Sequence, residues 1–386
     1  MRVLFATTRG AGHLGPLVPL AEACVRRGHE VLVVGPVSAA ALATRSRLPY
    51  RSVPEPPARQ LAEAYAPVWS RASSPGAEYV IRELFVGLQA RTSLFGMMAT
   101  VAEWRPDVIV RESCEFASMV AAERFGVPQV QFGIHLSAQI DADELFLTAA
   151  STAVDELRAL VGVAPDPGAE RARRVPIFTH APRSLDDPAA PAPVRVRRFR
   201  HPGQPAPARE RVQRPPLVYV SFGSEAPASE HFPGVYRETV HALAELPVRV
   251  LVTIGDRRQP AELGPLPPMV RIERWASQAA VMRQAAAMVG HGGSGSTLIA
   301  LTAGVPQALI PLFVDGPLNA RRVHEIGAGF ALADPSGVTD AVRALLEYPR
   351  YRRAAERVAA EIRALPPLDD AVGALGALAA EQRLAA

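Results

Sequence analysis

The sequence predicts an α/β protein made of two Rossmann-like, doubly wound domains. Three observations carry that expectation. Short β-branched runs alternate with stretches of helical spacing along the whole chain. The alternation stops once, in a Pro-, Gln- and Arg-rich stretch over 201–216, and then starts afresh. The 386 residues suffice for two cores at roughly 150 residues per domain. The expected layout is therefore a first domain over 1–200, a linker over 201–216, a second domain over 217–368, and a C-terminal helix over 369–386 that packs back on the first domain.

The first series opens with Val3-Leu4-Phe5-Ala6, the apolar run of a strand covered on both faces. A Gly-rich turn, a helix from about Gly15 to Arg27 and a second strand over Val31–Val34 complete a βαβ beginning. Strands follow at Tyr50–Val53, Val108–Val110 and Gln129–Phe132, with a long helical stretch over Gly76–Trp104 and a helix ending at Gly126. Two segments break the rhythm, 54–76 and 134–193, and insertions at the carboxyl ends of parallel strands are where such folds meet ligands. The second series runs through strands at Leu217–Gly223, Val248–Gly255, Val270–Trp275, Ala287–Val289 and Gln307–Pro311. The Ala- and Leu-rich tail over 369–383 has helical spacing.

Composition removes several chemistries. All 42 basic residues are arginine, so a Walker-type phosphate loop, pyridoxal-phosphate catalysis and lysine Schiff bases are excluded. The net charge of +4 is too weak to indicate a nucleic-acid partner, and Arg195, Arg197, Arg198 and Arg200 read as a solvated linker surface. Cys24 and Cys114 match no metal-site spacing and fit a reduced compartment; no metal is expected, and Asp141-Ala142-Asp143 reads as surface. The run Val3–Ala6 is too short for a signal peptide and no unbroken apolar run approaches the roughly 18 residues of a span, so no membrane span and a cytoplasmic location are expected.

Four motifs carry chemistry. Gly10-Ala11-Gly12-His13-Leu14-Gly15 has the spacing of a dinucleotide fingerprint, but the second strand ends in Val33-Val34-Gly35-Pro36 and lacks the acidic residue that would hold a ribose. The alternative is that His13 works as a general base at a strand's carboxyl end. Glu112 ends another parallel strand, where it can accept the Nδ1 proton of His13; Glu115 competes for that role, and helix capping is the other use of Glu112. The run Gly290-His291-Gly292-Gly293-Ser294-Gly295-Ser296-Thr297 turns from a strand into a helix and forms an anion cradle of amides, hydroxyls and an imidazole, without lysine. Trp275, with Gln278 one turn on, offers a flat face to a nucleobase, and Asp315 can accept sugar hydroxyls.

With these residues in view, the chain resembles the bacterial family 1 nucleotide-sugar-dependent glycosyltransferases of GT-B fold, in particular the actinomycete enzymes that decorate macrolide, enediyne and aromatic antibiotics. The resemblance covers the whole length. It rests on Gly12-His13-Leu14-Gly15-Pro16-Leu17, Ser221-Phe222-Gly223-Ser224, Trp275 with Gln278, and the run from His291 through Gly304-Val305-Pro306-Gln307 to Asn319-Ala320-Arg321-Arg322-Val323. It implies two domains facing across a cleft and an inverting, metal-independent transfer with no cofactor beyond the nucleotide sugar. His13 would deprotonate an acceptor hydroxyl and Glu112 would hold His13. His291, Gly293, Ser294, Gly295, Ser296 and Thr297 would cradle the diphosphate with Ser224 opposite. Trp275 and Gln278 would grip base and ribose, and Asp315 with Gly316 would lie at the sugar.

Three departures from that family stand in the sequence. Glu112 replaces the usual Asp, Gly316 replaces the usual Gln after Asp315, and Ile299 stands where uridine-dependent relatives carry a ribose-binding Glu. The last favours a TDP-deoxysugar donor, with a UDP-sugar donor or a nucleotide-sugar epimerase as alternatives and an NAD(P)-dependent oxidoreductase, suggested by Gly10–Gly15, as the remote one. The expected partners are small molecules, a nucleotide sugar and an apolar aglycone, with a homodimer left open. Trp69, Phe85, Phe132, His135 and Phe146 fall in or beside the variable stretches as acceptor-binding candidates or, equally, as core.

Overall fold

A computed structural model describes residues 1–69, 76–142, 144–201, 215–313 and 315–385. Most of the stretch expected as a linker, 202–214, lies outside the described residues. The first sheet holds β1 (Arg2–Ala6), β2 (Glu30–Pro36), β3 (Tyr50–Val53), β4 (Val108–Glu112), β5 (Gln129–Gly133), β6 (Ile177–Thr179) and β7 (Val196–Arg198) in the order β3-β2-β1-β4-β5-β6-β7. The second holds β8 (Leu217–Ser221), β9 (Arg249–Thr253), β10 (Val270–Glu273), β11 (Ala285–Gly290), β12 (Gln307–Leu309) and β13 (Gly329–Ala331) in the order β10-β9-β8-β11-β12-β13. All pairings in both sheets are parallel.

The strands are apolar on both faces because both faces are covered. Val3, Phe5, Val31, Val33, Val108 and Val110 join one core, while Leu4, Ala6, Leu32, Val34 and Ile109 join another on the opposite side, as side chains alternating across a strand require. The helix Leu368–Ala385 closes the first of these cores with Leu368, Ala371, Val372 and Leu375. The other is closed by a continuous helical run through Ala77–Tyr79, Val80–Ala90 and Arg91–Trp104, with π winding over Val80–Ala90. Val80–Trp104 is long and apolar enough to cross a membrane, with a mean hydropathy of 1.2. A search for unbroken apolar runs misses it because Arg82, Glu83 and Arg91 interrupt it.

The chain forms two compact units, Met1–Ala181 with Ala189–Pro202 and Leu365–Ala386, and Pro182–Pro188 with Gly203–Ala364. The segment 182–188, expected in the first domain, belongs with the second. The Ser184 amide donates to Glu361 at 3.1 Å, and the Ser184 carbonyl accepts from Arg322 at 2.8 Å.

Two further local readings need correction. The helix expected from Gly15 begins at Ala11, because Gly10 turns the chain at φ 103° and its carbonyl accepts from His13 N at 3.2 Å and Leu14 N at 3.3 Å. His13 therefore sits in a helical first turn. The arginine cluster read as solvated linker is partly the edge strand β7: Arg197 stacks at 5.6 Å over both Phe178 and Phe199, and Arg198 donates to the Ala181 carbonyl at 2.6 Å. Three-residue strands such as β6, β7 and β13 are too short to show a period in sequence.

In each sheet the strand order reverses once, between β1 and β4 and between β8 and β11, and such a switch point opens a crevice at the carboxyl ends of the strands. His13 and Glu112 follow the first reversal, and Gly223 and His291 the second. Leu375, fully buried, tests the role of the C-terminal helix: Leu375→Ala should destabilise the first unit by about 2–5 kcal/mol in urea denaturation. A loss under about 0.5 kcal/mol would show that the helix is dispensable.

Candidate active site

In the first unit the central group is Glu112, which is completely buried. Its Oε1 accepts from Thr8 N at 3.2 Å and Thr8 Oγ1 at 2.8 Å, and its Oε2 accepts from Cys114 N at 2.6 Å. His13 Nδ1 lies 3.1 Å from Oε1, with its N–H directed off the line to that oxygen, so proximity rather than alignment defines the contact. Burial alone pushes the Glu112 carboxyl up. The His13 imidazole, followed by the Cys114 amide and the Thr8 hydroxyl, outweighs it and holds the group below the ordinary carboxylate range. With Nδ1 turned to Glu112, Nε2 is the ring nitrogen left for proton transfer. The His13 side chain is 22% exposed, and Phe85 packs against its ring at 5.5 Å.

Beneath this pair lies a second buried charge. Arg111 donates to Gln131 at 2.8 Å and Gln129 at 3.2 Å, and its guanidinium reaches the Glu115 carbonyl at 3.4 Å. Burial lowers its pKa against the opposing pull of Glu115 and Glu112. Glu115 is only 3% exposed and accepts from Ala117 N, Ser118 N and Ser118 Oγ; it caps the helix Ala117–Phe125 and makes no contact with His13 among those described. Burial pushes its carboxyl up to about 7 against those hydrogen bonds. The competition between the two glutamates thus resolves geometrically in favour of Glu112.

Donor atoms of His13, Glu112 and Cys114 also lie within 4.8 Å of one another, a grouping with metal-ligand chemistry that sequence spacing did not reveal. It arises because two segments about 100 residues apart meet at one strand end. The Glu112 oxygens are already engaged by Thr8 and Cys114, so the arrangement serves the imidazole as it stands.

In the second unit β11 runs into the helix Ser294–Thr302, whose N-cap, Gly293, makes no side-chain cap. Among the described residues its first amides are therefore left without a side-chain cap, and the helix dipole adds to them. Burial pushes the His291 imidazole down against the Asp315 carboxylate and the Ser221 backbone, so the ring acts as a neutral hydrogen-bonding group. Among the described residues, His291 Nδ1 and Thr297 Oγ1 are buried and have no hydrogen-bond partner. Gly223, at φ 79°, brings the turn after β8 onto the cradle: a Cβ there would meet His291 Cε1 at 2.7 Å. Ser224 on that turn is exposed, its hydroxyl donating to Glu225 at 3.4 Å.

Gln278 joins the cradle, with its Nε2 3.1 Å from Ser296 Oγ and 3.5 Å from Ser221 Oγ. Trp275 is 67% exposed, so its indole lies outside the core. Asp315 Oδ2 accepts from Ser294 Oγ at 2.7 Å and from Asn319 Nδ2 at 2.9 Å. Asn319, buried and also donating to the Gly292 carbonyl at 2.7 Å, was missing from the sequence-derived site; its i+4 spacing from Asp315 at the start of a helix is the signal that could have found it.

These units match known proteins along their full length. Residues 237–378 match the family model described as erythromycin biosynthesis protein CIII-like, C-terminal domain. The elloramycin glycosyltransferase ElmGT of Streptomyces olivaceus is 32% identical, over 97% of this chain and 97% of that protein. The L-demethylnoviosyl transferase of Streptomyces niveus is 33% identical over 99% of each. The chain belongs to the actinomycete antibiotic glycosyltransferases. Its fold is GT-B: the glycosyltransferase SnogD from Streptomyces nogalater superposes with a TM-score of 0.78 at 26% identity, covering 98% of this chain and 99% of that one. The glycosyltransferase VinC, solved in complex with DTDP, superposes with a TM-score of 0.76 at 25% identity, covering 99% and 100%. The oxidoreductase alternative drawn from Gly10–Gly15 falls with this membership.

The acceptor-side candidates of this glycosyltransferase divide. Phe132 is 0% exposed and packs in the core against His180 at 5.1 Å, so it cannot line a pocket; its alternation on β5 places it inward. Phe85 is also core but touches His13. The side chains of Trp69 and Phe146 lie outside the described residues. His135 is 17% exposed and its Nδ1 lies 2.7 Å from Asp141 Oδ1. Asp141, expected at the surface, is completely buried, because Gly133 has no side chain to fill the space its carboxylate occupies.

The raised Glu115 sets a pH dependence. The folded form binds a proton that the unfolded form has lost between about pH 4.3, the ordinary Glu value, and the folded value of about 7, so stability falls as pH rises through that window and stays low above it. Glu115→Gln should therefore remove a decline of up to about 3 kcal/mol between pH 5 and 8 in urea denaturation. An unchanged slope in the variant would refute the assignment.

Proposed function

We propose that this glycosyltransferase moves a deoxysugar, with inversion and without a metal ion, from a TDP-sugar to a hydroxyl of an apolar natural-product aglycone. The observation that carries the reading is His13 at 3.1 Å from a completely buried Glu112. In this reading His13 Nε2 takes the proton of the acceptor hydroxyl as its oxygen attacks the anomeric carbon. Glu112 stabilises the imidazolium that forms. The bond from the anomeric carbon to the phosphate oxygen breaks, and the nucleoside diphosphate leaves with the electron pair.

The leaving group gains charge in that step, and the second unit supports it with uncharged donors. The amides of 294–296, Ser296, Thr297 and His291 supply hydrogen bonds to the diphosphate. Trp275 and Gln278 hold base and ribose, Ser224 adds a hydroxyl, and Asp315 holds the sugar. The thymidine preference is supported by Ile299, which offers a ribose diol no acceptor, and by the DTDP in the relative VinC. Glu112 in place of Asp suits the geometry because Thr8 and Cys114 fix the longer side chain at both oxygens.

His13→Ala should lower kcat by about 10²–10⁴-fold while the Kd for TDP changes less than threefold in calorimetry. Retained turnover would point to another base. With one sugar on both nucleotides, the TDP donor should give the higher kcat/KM; equal or better use of the UDP donor would defeat the thymidine assignment. A Cβ on Gly316 would meet the His291 carbonyl oxygen at 2.8 Å, so Gly316→Ala must displace the cradle, and the Kd for TDP should rise by at least about tenfold. Unaltered TDP affinity would show that the turn at 316 does not shape the nucleotide site.

A further inference from the structure

The helical run that closes one core of the first sheet changes its winding over Val80–Ala90. The Arg91 amide that ends this segment donates to the carbonyls of Leu88 and of Val86, the latter five residues back. Burial follows the wider turn, with buried positions at 80–81, 84–86 and 89–90. With Ile81, Leu84 and Phe85 inward, a period of about 3.6 would bury Leu88 as well and turn Val86 out. Instead Leu88 is half-buried while Val86 and the polar Gln89 are buried, so Phe85 stands in the middle of the inward face with Gln89 beside it. Gly87 permits this turn: a Cβ there would meet only the Arg82 carbonyl, at 2.8 Å from its oxygen. An 11-residue run exceeds the single-turn bulges in which π winding mostly occurs, and such bulges are frequent at functional sites.

We propose that the π-wound segment is the positioning element for the His13 ring, with Phe85 and Gly87 as its determinants. The proposal rests on the reading of His13 as the general base. The contact with Glu112 keeps the imidazole near the carboxylate, but an N–H directed off the line to the oxygen does not fix the tilt of the ring. Packing does: the Phe85 ring lies 5.5 Å from the imidazole at an interplanar angle of 56°, and Phe85 is itself only 8% exposed, so its own place is set by the core around it. The same segment braces the turn that leads into His13. Gln89 Nε2 donates to Tyr65 Oη at 2.9 Å, and the Arg9 guanidinium lies over the Tyr65 ring at 5.6 Å. Rewinding the segment as an α-helix would carry Phe85 off the middle of the inward face and release the imidazole. Phe85 and Gly87 are positioning residues; the proton moves at His13.

The test uses the intact protein with 13C-labelled histidine, in which the His13 ring signal is the one lost in His13→Ala. Gly87→Ala, an exposed change away from the imidazole, should shift or split that signal, and Phe85→Leu should split or broaden it. Phe85→Tyr, which keeps a ring in place, should leave it single. With a TDP-deoxysugar and a phenolic anthraquinone that the protein turns over, Gly87→Ala and Phe85→Leu should each lower kcat by roughly 10–100-fold while the acceptor KM changes less than about threefold, and Phe85→Tyr should recover most of the loss. An unchanged His13 signal in both Gly87→Ala and Phe85→Leu overturns the proposal, and where no such pair is turned over the signal alone decides it. Full kcat in both variants beside an inactive His13→Ala overturns it too, as does a loss confined to KM, which would make Phe85 a contact of the acceptor. A displaced signal with full turnover in these variants and in His13→Ala alike would count against the base assignment and leave the placement of the ring standing.

Discussion

The buried carboxylate of Glu112 is the constraint on which the first unit's site depends. An ionised carboxylate removed from water is tolerated only where charge and donors replace the lost hydration. Here the replacements come from the Thr8 turn, the first turn of the helix Ala11–Arg26, and the Cys114 amide beyond β4. Satisfying one side chain therefore fixes segments about 100 residues apart in sequence and keeps Nδ1 of the His13 ring beside the carboxylate. The parallel register that pairs Phe5 with Val110 and Ala6 with Arg111 brings those strand ends level in the first place. Arg111 below the pair adds positive charge to the same strand end and ties it to β5 through Gln129 and Gln131.

The two units share the same strand order over six strands, the first adding β7 at its edge, and differ in what they gather at their switch points. The first gathers buried charge: Glu112, Arg111, Glu115 and Asp141 are all 3% exposed or less. The second gathers uncharged donors and close backbone. A chain without lysine cannot place a lysine ammonium against an anion, and among the described residues no guanidinium joins the groups that meet at the cradle. A helix start with an uncapped Gly293, two hydroxyls and a neutral His291 offer directed donors without a fixed charge.

Much of this was legible in the sequence, for physical reasons that also explain what was not. The strands at Val3–Ala6, Val108 and Val289 announce themselves because burial on both faces makes them uniformly apolar. The anion cradle is local in sequence, so His291–Thr297 could be read directly. Asp141 could not: its burial depends on the absence of a side chain at Gly133 and on Ser113, contacts that no periodicity encodes. Arg197 looked like a solvated charge because its stem lies on Phe178 and Phe199, which only the fold brings beneath it. Phe132 carried the opposite error, an aromatic next to a variable loop that β5 turns inward.

The departure at Gly316 follows from the same kind of close approach. Gly292 adopts φ 80°, and a Cβ on it would lie 2.8 Å from the Gly316 carbonyl oxygen; a Cβ on Gly316 would lie 2.8 Å from the His291 carbonyl oxygen. The turns after β11 and β12 therefore pack backbone against backbone, and neither accepts a side chain unless the other moves. Asn319 pins this contact by donating to the Gly292 carbonyl and to Asp315 together. A longer residue at 316 would gain a polar contact at the cost of the seat of His291, whereas glycine keeps the cradle closed and leaves Asp315, braced by Ser294 and Asn319, as the polar side chain of that turn. The missing side chain is in this sense part of how the cradle is built, and a side chain introduced there alone, without a compensating change at Gly292 or His291, would press the two turns apart.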